Sequence, residues 1–295
     1  MIENFEYKSP AKINLFLRVV GKQPDGYHQL VSLMCPVSLH DRINIQYHSK
    51  EMKVTCSDPQ VPDNSNNLAY KAAETFFQAI SCDDRVSIAI EKNIPVGAGL
   101  GGGSSNAATV LLALNKRYRN PLNPEHFKKI ALSLGADVPF FLENTVALVY
   151  GIGEHVYPIA LDILNPIIII YPGFSVSTAW AFKNFKFDLT KEKFDDNKSC
   201  LISRYKNKTD VNWLSDIRND LETIIFQRYP ILADIKFNLK KLGAYQSVMT
   251  GSGSSIIGIF TNKKECLKAF KELKQQKSWQ IFLCHVNIDS SYDRH

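Results

Sequence analysis

Pro95-Val-Gly-Ala-Gly-Leu-Gly-Gly-Gly-Ser-Ser-Asn-Ala-Ala108 is a run of glycines between two segments of different periodicity. Ahead of it, residues 85–91 alternate apolar and polar side chains, which predicts a strand. Behind it, residues 104–118 are apolar around most of the circumference, which predicts a buried helix. Backbone N–H groups in a glycine loop, beside the positively polarised start of a helix, form a phosphate-binding surface. The segment therefore predicts a phosphate-binding loop, with a glycine-rich turn that binds no ligand as the alternative.

Three better-known phosphate-binding motifs fit the loop poorly. Residues 97–102 match G-x-G-x-x-G, but the dinucleotide-binding fold also needs a second strand that ends in an acidic residue about 20 residues later. Here the helix runs instead into Arg119-Asn120-Pro121 and a second helix. A Walker loop needs a lysine where this chain has Gly103-Ser104-Ser105, and the H-R-D and D-F-G sequences of protein kinases do not occur.

The composition is that of a globular protein. The chain has 295 residues, of which 45% are hydrophobic and 22% charged, with a net charge of +6 and a pI near 8.9. These values exclude disordered, collagen-like and coiled-coil chains, and the length allows two domains. The longest aliphatic run, Ile167–Ile170, is far shorter than a membrane span, and the N-terminus has no apolar signal region. We expect a water-soluble, cytoplasmic bacterial protein with no membrane partner.

The cysteines and histidines form no metal-binding pattern. The six cysteines are scattered without a C-x-x-C pair, and the seven histidines include no H-E-x-x-H. We therefore expect reduced thiols and no metal site built from protein side chains. The lysines concentrate in a polar stretch, residues 183–210, and not on an aromatic strand face, so no nucleic-acid partner is expected. That stretch is predicted to be a mobile, solvated insertion or a set of short polar helices.

Strands and helices alternate along the whole chain, which indicates a mixed α and β class. In the first strand, Ile13, Leu15, Leu17 and Val19 share one face, and Lys12, Asn14 and Arg18 share the other with Phe16. Strands are predicted at 11–19, 42–47, 85–91, 146–150, 166–171, 247–249, 256–260 and 281–286. Helices are predicted at 67–80, 104–118, 125–134, 214–226, 231–242 and 265–274. The break between domains is predicted near residues 158–166.

Three ordered segments together resemble the GHMP kinases, the superfamily of galactokinase and of homoserine, mevalonate and phosphomevalonate kinases. They are the glycine loop, Pro10-Ala-Lys-Ile-Asn-Leu15 near the start and Thr250-Gly-Ser-Gly-Ser-Ser255 near the end. The resemblance implies an α+β fold of two domains. Residues 1–160 would form an N-terminal ATP-binding domain of the ribosomal-protein-S5-domain-2-like type, and residues 161–295 a C-terminal ferredoxin-like domain.

Five segments resemble one branch of this superfamily, the 4-diphosphocytidyl-2-C-methyl-D-erythritol kinases. They are Ala11-Lys-Ile-Asn-Leu-Phe-Leu17, Asp25-Gly-Tyr-His-Gln-Leu30, Gly-Leu-Gly-Gly-Gly-Ser-Ser-Asn106, Gly135-Ala-Asp-Val-Pro-Phe140 and Asn219-Asp-Leu-Glu222. The resemblance implies ATP-dependent phosphorylation of the 2-hydroxyl of 4-diphosphocytidyl-2-C-methyl-D-erythritol, an alcohol of the non-mevalonate route to isoprenoid precursors.

Two residues match the catalytic positions of this family. Asp137 matches the aspartate that accepts the hydroxyl proton; from the residues alone, it is equally well an N-cap of Val138-Pro-Phe140. Lys12 matches the second catalytic residue, whose charge would face Asp137 or the transferring phosphate; the alternative is an exposed lysine on a strand face. Asn14 projects from the same strand face as Lys12 and would hydrogen-bond the substrate.

The resemblance also implies an ATP site, although the sequence shows no carboxylate at loop spacing that must ligate a metal ion. The residues expected at the phosphates are Pro95, Gly97, Gly99, Gly101, Gly102, Gly103, Ser104 and Ser105. Those expected at the adenosine are Asn67, Lys92 and Asn106. The expected cofactors are ATP and Mg²⁺, with the ion held mainly by phosphate oxygens and water, although Ser104 and Ser105 are able to donate to phosphates or hold the ion.

The remaining predicted contacts are to the alcohol substrate. Tyr27 and His28 match the pair of residues that contacts the cytosine in the family. An aromatic ring can stack on the base, and a histidine can hydrogen-bond its edge. Phe182 occupies the place of a second stacking aromatic, with Trp180 and Phe185 as alternatives. Gly251 and Gly253 would line the substrate, or else simply form a turn between strand and helix.

Three rival functions use the same scaffold. Another GHMP kinase, for homoserine or mevalonate, is disfavoured by the Tyr27-His28 pair and by the Asn219–Glu222 segment. A non-catalytic ligand sensor should have lost the base or the loop, and this chain keeps both. An RNA-binding protein is disfavoured by the distribution of its lysines. We expect small-molecule partners only, and a monomer or weak homodimer.

Overall fold

The computed structural model describes residues 3–23, 26–161, 163–185, 202–203, 205 and 213–286. The strands are β1 Glu3–Lys22, β2 His28–Tyr47, β3 Lys53–Cys56, β4 Ser87–Glu91, β5 Ala147–Gly151, β6 His155–Pro158, β7 Ile167–Tyr171, β8 Arg218–Asn219, β9 Gln246–Met249, β10 Ile256–Ile259 and β11 Gln280–Cys284. The helices are α1 Leu68–Ala79, α2 Gly102–Arg117, α3 Pro124–Leu134, α4 Val138–Glu143, α5 Thr178–Asn184, α6 Glu222–Arg228, α7 Ile231–Lys241 and α8 Lys263–Leu273. Most of the predicted elements are present within a few residues of their predicted bounds, but β1 begins at Glu3 and β2 at His28, well before the predicted starts at residues 11 and 42.

The chain forms two compact units that are interleaved along the sequence. Unit one contains Met1–Ala11, Leu39–Val96 and Gly101–Asn144, and unit two contains Lys12–Ser38, Gly97–Leu100 and Thr145–His295. Strands β1 and β2 and the glycine loop each contribute residues to both units. The family-based domain boundary at residue 160 stays a prediction.

Unit one combines paired strands with a layer of helices. The second half of β2 pairs antiparallel with β4, from Arg42 opposite Glu91 to Gln46 opposite Ser87, and β3 pairs parallel with β4. Helices α1 and α2 pack against each other, and the middle of α2 is buried on all sides, as its apolar circumference predicts. Gly135 is the C-cap of α3, also as predicted.

Unit two contains a four-stranded antiparallel sheet with the order β11–β7–β10–β9. Taken in chain order, this is the 4-1-3-2 arrangement of a ferredoxin-like domain, with helices between β7 and β9 and between β10 and β11. Ile168, Ile170 and Ile256 join Leu232 and Leu239 of α7 in one apolar core. The first half of β2 pairs antiparallel with β5. The predicted ferredoxin-like C-terminal domain is therefore confirmed.

From Ser9 to Leu17, strand β1 is buried on both of its faces. Ile13 and Leu15 are fully buried, as the alternation predicts, but Lys12 and Asn14 on the opposite face are each only 4% exposed. The alternative of an exposed strand-face lysine is therefore wrong. A buried lysine is costly unless polar groups or an anion compensate its charge, so the position indicates a specific role.

One predicted helix is wrong over its first half. Residues 214–226 were expected to be helical, but helix α6 begins only at Glu222 and the preceding residues form a turn and the two-residue strand β8. Strand β8 pairs parallel with β1, placing Arg218 opposite Phe16 and Asn219 opposite Leu17. Pairing with a distant strand overrides the local helical pattern here.

Two further findings concern the predicted segments. Strands β3 and β6 and the short helices α4 and α5 were not predicted, because segments of four to seven residues carry little periodicity. The polar stretch 183–210 lies mostly outside the described residues, as does Cys200. Within the described part of the chain, no helix has both the length and the apolar character needed to cross a bilayer.

Candidate active site

The glycine loop leads directly into helix α2. Its N-cap, Gly101, has a φ of +71° and no side chain with which to occupy the N–H groups of the first turn. The first backbone bond of the helix runs from Ser105 N to Gly101 O at 2.9 Å. The start of α2 therefore presents N–H donors and the positive end of the helix dipole, as a phosphate site requires.

A buried carboxylate organises the residues next to this helix start. Asp41 is fully buried, and its Oδ1 accepts hydrogen bonds from the backbone N–H groups of Asn93 and Ile94, both at 2.8 Å. Its Oδ2 pairs with the ammonium of Lys92, whose side chain is 6% exposed. A Cβ built on Gly102 would lie 3.0 Å from Lys92 Nζ, so this ammonium lies directly beside the first turn of α2.

The Asp41 carboxylate is also linked by hydrogen bonds to three uncharged side chains. Asn106 Nδ2 donates to Asp41 Oδ2 and to Ser9 Oγ, both at 2.9 Å, and Ser9 Oγ donates to Ser105 Oγ at 2.8 Å. We refer to these five residues, Ser9, Asp41, Lys92, Ser105 and Asn106, as the Asp41 cluster. It brings together three of the residues expected at ATP.

Asn67 is used as a helix cap. Its Oδ1 accepts from Ala69 N at 2.9 Å and its Nδ2 donates to Pro62 O at 2.7 Å, while the side chain is buried. These bonds hold the start of α1, which packs on α2. A direct contact between Asn67 and ATP stays a prediction.

Asp137 occupies the N-cap position of α4, but its side chain makes no capping hydrogen bond and its backbone is in the right-handed helical region. The capping role that the sequence alone allowed is therefore not what this carboxylate does. Helix α4 packs on α2, and a Cβ built on Gly135 would lie 3.7 Å from Ser104 Oγ. The segment that bears Asp137 thus runs beside the start of α2 within unit one.

Unit two contains a second buried polar network, built on β1. Lys12 Nζ donates to Asn14 Oδ1 at 2.7 Å, and Asn14 Nδ2 donates to Ser32 Oγ at 2.8 Å. Thr250 Oγ1 accepts from Asn14 N at 2.9 Å and donates to Asn14 Oδ1 at 3.3 Å. We refer to Lys12, Asn14, Ser32 and Thr250 as the Lys12 cluster. The carboxamide of Asn14, held from both sides, orients the ammonium of Lys12.

The glycines at 99 and 251 permit a close backbone approach beside the Lys12 cluster. Gly99 has a φ of +77°, and a Cβ there would lie 2.5 Å from Thr250 O. Gly251 has a φ of +58°, and a Cβ there would lie 3.1 Å from Gly99 O and 3.5 Å from Lys12 Nζ. Only glycine fits such positions without strain. The first half of the glycine loop and the turn after β9 are therefore packed together inside unit two.

Gly97 and Gly253 belong to the same two segments, the glycine loop and the turn after β9, and both are closely packed. A Cβ on Gly97 would lie 2.7 Å from Ser175 Cβ, and one on Gly253 would lie 2.8 Å from Met249 Sδ. Both have positive φ angles, +67° and +82°. Their proposed contacts with ligands are not tested by this geometry, which shows only that the backbone is closely packed at both positions.

Aromatic side chains form a separate group in unit two. The imidazole of His28 stacks on Phe182 with ring centroids 5.3 Å apart and planes at 28°, and Phe185 meets it edge-on at 6.3 Å. Burial, together with the nearby charge of Lys22, lowers the pKa of His28 below its ordinary value of 6.5. The ring is therefore a neutral aromatic surface with one donor and one acceptor.

The structure separates the three aromatic candidates. Phe182 and Phe185 contact His28, whereas the Trp180 ring lies under the guanidinium of Arg228, 4.2 Å from its centroid. Tyr27, beside His28 in sequence, is 63% exposed. The geometry favours Phe182 and Phe185 over Trp180 as partners of a base that binds at His28.

Sequence reasoning missed Asp41, Ser9 and Ser32. A signal for Asp41 exists, because it has the same strand phase as Ile43 and Ile45, and all three are fully buried. A carboxylate on the apolar face of a strand requires buried donors. Ser9 and Ser32 carry no comparable signal, since their partners lie 97 and 18 residues away along the chain.

Among the described residues, no group of three or more histidine, cysteine or acidic side chains is arranged to hold a metal ion. Ser105, one of the two candidate hydroxyls, is fully buried and accepts its hydrogen bond from Ser9. Ser104, at the start of α2, is only partly buried.

Comparisons with known proteins bear on these observations. The family models for the GHMP kinases N terminal domain and the GHMP kinases C terminal match residues 67–144 and 206–277. A 4-diphosphocytidyl-2-C-methyl-D-erythritol kinase of Syntrophus aciditrophicus (strain SB) is 39% identical over 282 residues, covering 95% of this chain and 98% of the relative. The chain belongs to this kinase family. A family member from Acetivibrio thermocellus is 37% identical and covers 96% and 99% of the two chains.

Solved structures agree with the family assignment. A crystal structure of 4-(cytidine 5'-diphospho)-2C-methyl-D-erythritol kinase superposes with a TM-score of 0.76 and 31% identity, covering 95% of this chain and 98% of that one. A homoserine kinase from Cytophaga hutchinsonii shares the fold alone, with a TM-score of 0.71 at 16% identity. The predicted fold, family and class of small-molecule kinase are therefore confirmed.

Proposed function

We propose that this protein transfers the γ-phosphoryl group of ATP to the 2-hydroxyl of 4-diphosphocytidyl-2-C-methyl-D-erythritol, a step in the non-mevalonate route to isoprenoid precursors. The observation that carries the proposal is the nearly full-length identity of 37–39% with relatives named for this activity. The stacked His28–Phe182 pair supports it, because a cytosine substrate needs an aromatic surface and a hydrogen-bonding edge.

Asp137 is the proposed general base. Its carboxylate would accept the proton of the attacking hydroxyl as the oxygen bonds to phosphorus and the bond to the ADP oxygen breaks. Its place in the segment beside the start of α2 supports this role, since a Cβ on neighbouring Gly135 would lie 3.7 Å from Ser104 Oγ. Such a base contributes about 10²–10⁴-fold in rate, while positioning and charge neutralisation supply most of the remainder, since the transition state is loose.

Lys12 is the proposed electrostatic partner of the transferring group. Its ammonium would offset the negative charge on the phosphoryl oxygens, and Asn14 would both orient this ammonium and hydrogen-bond the alcohol. The buried setting of both side chains supports the assignment, because electrostatic interactions are stronger where water is excluded.

The glycine loop and the start of α2 are the proposed phosphate site. Backbone N–H groups of residues 97–105 would hold the phosphates, while Lys92, Asn106 and Asn67 would lie towards the adenosine. Mg²⁺ would be held mainly by phosphate oxygens and water, with the Ser104 hydroxyl at the start of α2 as a candidate protein ligand, and would neutralise charge on the β- and γ-phosphates.

The first experiment is ³¹P NMR of the purified protein with ATP, Mg²⁺ and the proposed alcohol. A new phosphomonoester signal together with ADP is expected. Asp137→Asn should lower the rate by about 10²–10⁴-fold. The control Asp83→Asn, whose side chain is fully exposed in the same unit, should leave it unchanged.

Three outcomes would contradict different parts of the proposal. Transfer to homoserine or mevalonate, but not to the proposed alcohol, would show that the substrate is wrong. Full activity in Asp137→Asn would support the proposed reaction but show that Asp137 is not its general base. A non-catalytic sensor would bind nucleotide and show no transfer at all.

The cytosine contact has its own test. Phe182→Leu should raise KM for the alcohol by a factor corresponding to about 1–3 kcal/mol, the usual value of stacking on a base, with little change in KM for ATP. Trp180→Leu is the matched control from the same helix and should leave both values nearly unchanged. Equal effects of the two variants would remove Phe182 as the base-stacking residue.

We also propose a cytoplasmic location, small-molecule partners alone and a monomer or weak homodimer. Size-exclusion chromatography with light scattering tests the last point, and a stable higher oligomer would overturn it.

A further inference from the structure

The Asn219-Asp-Leu-Glu222 segment distinguishes this family in the sequence, but the proposed chemistry does not use it. Asn219 is 5% exposed, and its Nδ2 donates to two carbonyl oxygens, Met249 O at 2.8 Å and Gly251 O at 2.7 Å. Its Oδ1 accepts from Leu221 N at 2.9 Å. Every polar atom of this buried carboxamide is therefore paired, and two of its three bonds hold the turn after β9.

The two acidic residues of the segment, Asp220 and Glu222, make further hydrogen bonds to the same region. Glu222 Oε1 accepts from Met249 N at 2.8 Å. Glu222 and Asn219 therefore bind the N–H and the carbonyl oxygen of the same residue, Met249. Asp220 Oδ2 accepts from Val19 N at 2.9 Å, and its own N–H donates to Leu17 O at 3.0 Å. The segment thus binds both the turn and strand β1, which carries Lys12.

The turn in question is in direct contact with the Lys12 cluster. Thr250 lies between the two carbonyls that Asn219 holds, and its hydroxyl bonds both the N–H and the Oδ1 of Asn14. The same Oδ1 accepts from Lys12 Nζ. A continuous set of hydrogen bonds therefore runs from Asn219 through the turn to the ammonium of Lys12, entirely within unit two.

We propose that Asn219 is a positioning residue for phosphoryl transfer, which holds the Thr250–Gly251 turn so that Asn14 keeps the Lys12 ammonium in its productive place. This inference rests on the proposed function and adds a residue to it. Asn219 acts through the turn and contacts no substrate atom. A displacement of about 1 Å in a catalytic group costs on the order of 10²-fold in rate.

The test variant is Asn219→Asp, which preserves shape and the bond from Leu221 N but places a carboxylate against two carbonyl oxygens. We expect kcat to fall about 10–100-fold, while KM for ATP changes by less than about 3-fold. The matched control is Asn165→Asp, because Asn165 Nδ2 also donates to a carbonyl, Phe260 O at 3.0 Å, in the same unit. The control should retain wild-type kcat.

Two readouts separate positioning from a general loss of structure. Acidification should restore part of the Asn219→Asp activity relative to wild type, because the protonated carboxyl donates a hydrogen bond again and its pKa is raised by the two facing carbonyls. In a Lys12→Met background, the Asn219→Asp effect should shrink to within about 2-fold, because a residue that acts through Lys12 has nothing left to position.

The outcomes are distinct. Wild-type kcat in Asn219→Asp, or an undiminished effect in the Lys12→Met background, would overturn the inference. If Asn219→Asp does not fold, Thr250→Val removes the next link and should show the same loss and the same dependence on Lys12. If wild type fails to phosphorylate the proposed alcohol, the proposed function is wrong, and the Asn219 comparison is then made on the alcohol that is phosphorylated, or on ATP hydrolysis.

Discussion

The Asp41 cluster of unit one and the Lys12 cluster of unit two are both buried and both lie beside the glycine loop residues of their own unit, but their chemistry differs. Asp41 is a carboxylate that accepts four donors, one of them the Lys92 ammonium. The Lys12 cluster is joined by an amide and two hydroxyls. Removing Asp41 leaves a buried ammonium without its counter-charge, whereas removing a hydroxyl of the Lys12 cluster leaves only an unpaired amide group. Changes in the Asp41 cluster should therefore mainly lower the free energy of unfolding. Changes in the Lys12 cluster should mainly alter the position of the Lys12 ammonium, and with it kcat.

The largest expected effect follows from removing the charge at the centre of the first cluster. Asp41→Ala leaves the Lys92 ammonium buried and should cost about 3–5 kcal/mol in the free energy of unfolding, measured by urea denaturation. The double variant Asp41→Leu with Lys92→Met should regain only part of this loss, because it removes the bare ammonium but leaves the Asn93, Ile94 and Asn106 donors without an acceptor. A double variant as unstable as the single one would show that packing, not charge, governs this cluster.

The next effect concerns the backbone beside the second cluster. Gly99→Ala combines a positive φ with a Cβ 2.5 Å from Thr250 O, so it should destabilise the protein by at least about 1–3 kcal/mol and lower kcat. Gly103→Ala is the control, since its Cβ would meet only Leu68 Cδ1 at 3.5 Å in a helical position. Thermal unfolding should show the control unchanged or stabilised by up to about 1 kcal/mol. Equal losses in both variants would contradict the close approach at Gly99.

A matched pair of serines compares the two clusters directly. Ser9 and Ser32 each donate one hydrogen bond and accept one from an asparagine, and each should cost about 1–2 kcal/mol when replaced by alanine. Only Ser32→Ala should also lower kcat, because it frees the carboxamide that orients Lys12. Steady-state kinetics beside urea titrations check this, and a kcat loss confined to Ser9→Ala would reverse the assignment.

The smallest expected effect is a pH dependence at His28. Burial and Lys22 lower its pKa in the folded state, so the unfolded chain takes up the proton first as the pH falls through 6.5. Acidification through that region should therefore lower the free energy of unfolding of wild type slightly more than that of His28→Gln. NMR titration of His28 should give a midpoint below 6.5. A larger acid loss in the variant would contradict the lowered pKa.

Long periodic segments were predictable and short or cross-paired ones were not. Helices α1, α2, α3, α7 and α8 carry enough turns for their apolar faces to be read from the sequence. The region 214–221 looked helical, and only its pairing with β1 makes it a turn and a strand. Local preference is a weak determinant when a strand hydrogen-bonds a segment about 200 residues away along the chain.

The candidate site divides in the same way. The loop, Lys12, Asn14, His28 and Asp137 are candidates from the sequence because they lie in segments that resemble the family's motifs, and their roles stay predictions. Asp41, Ser32 and the role of Asn219 are not identifiable, since each is defined by a partner distant along the chain. The choice among Trp180, Phe182 and Phe185 also required coordinates, because one helical turn separates rings that face different neighbours.

The sequence by itself determined the class of fold, the glycine-rich turn before α2 and the family, because these depend on residue order, apolar period and the glycines that a tight backbone requires. Only the tertiary structure decided that the polar face of β1 is buried, that Asp41 neutralises Lys92 and that Asn219 holds the turn beside Lys12. The physical reason is that burial and hydrogen-bond partnership belong to pairs of groups that the fold brings together, whereas periodicity and backbone freedom belong to the segment itself.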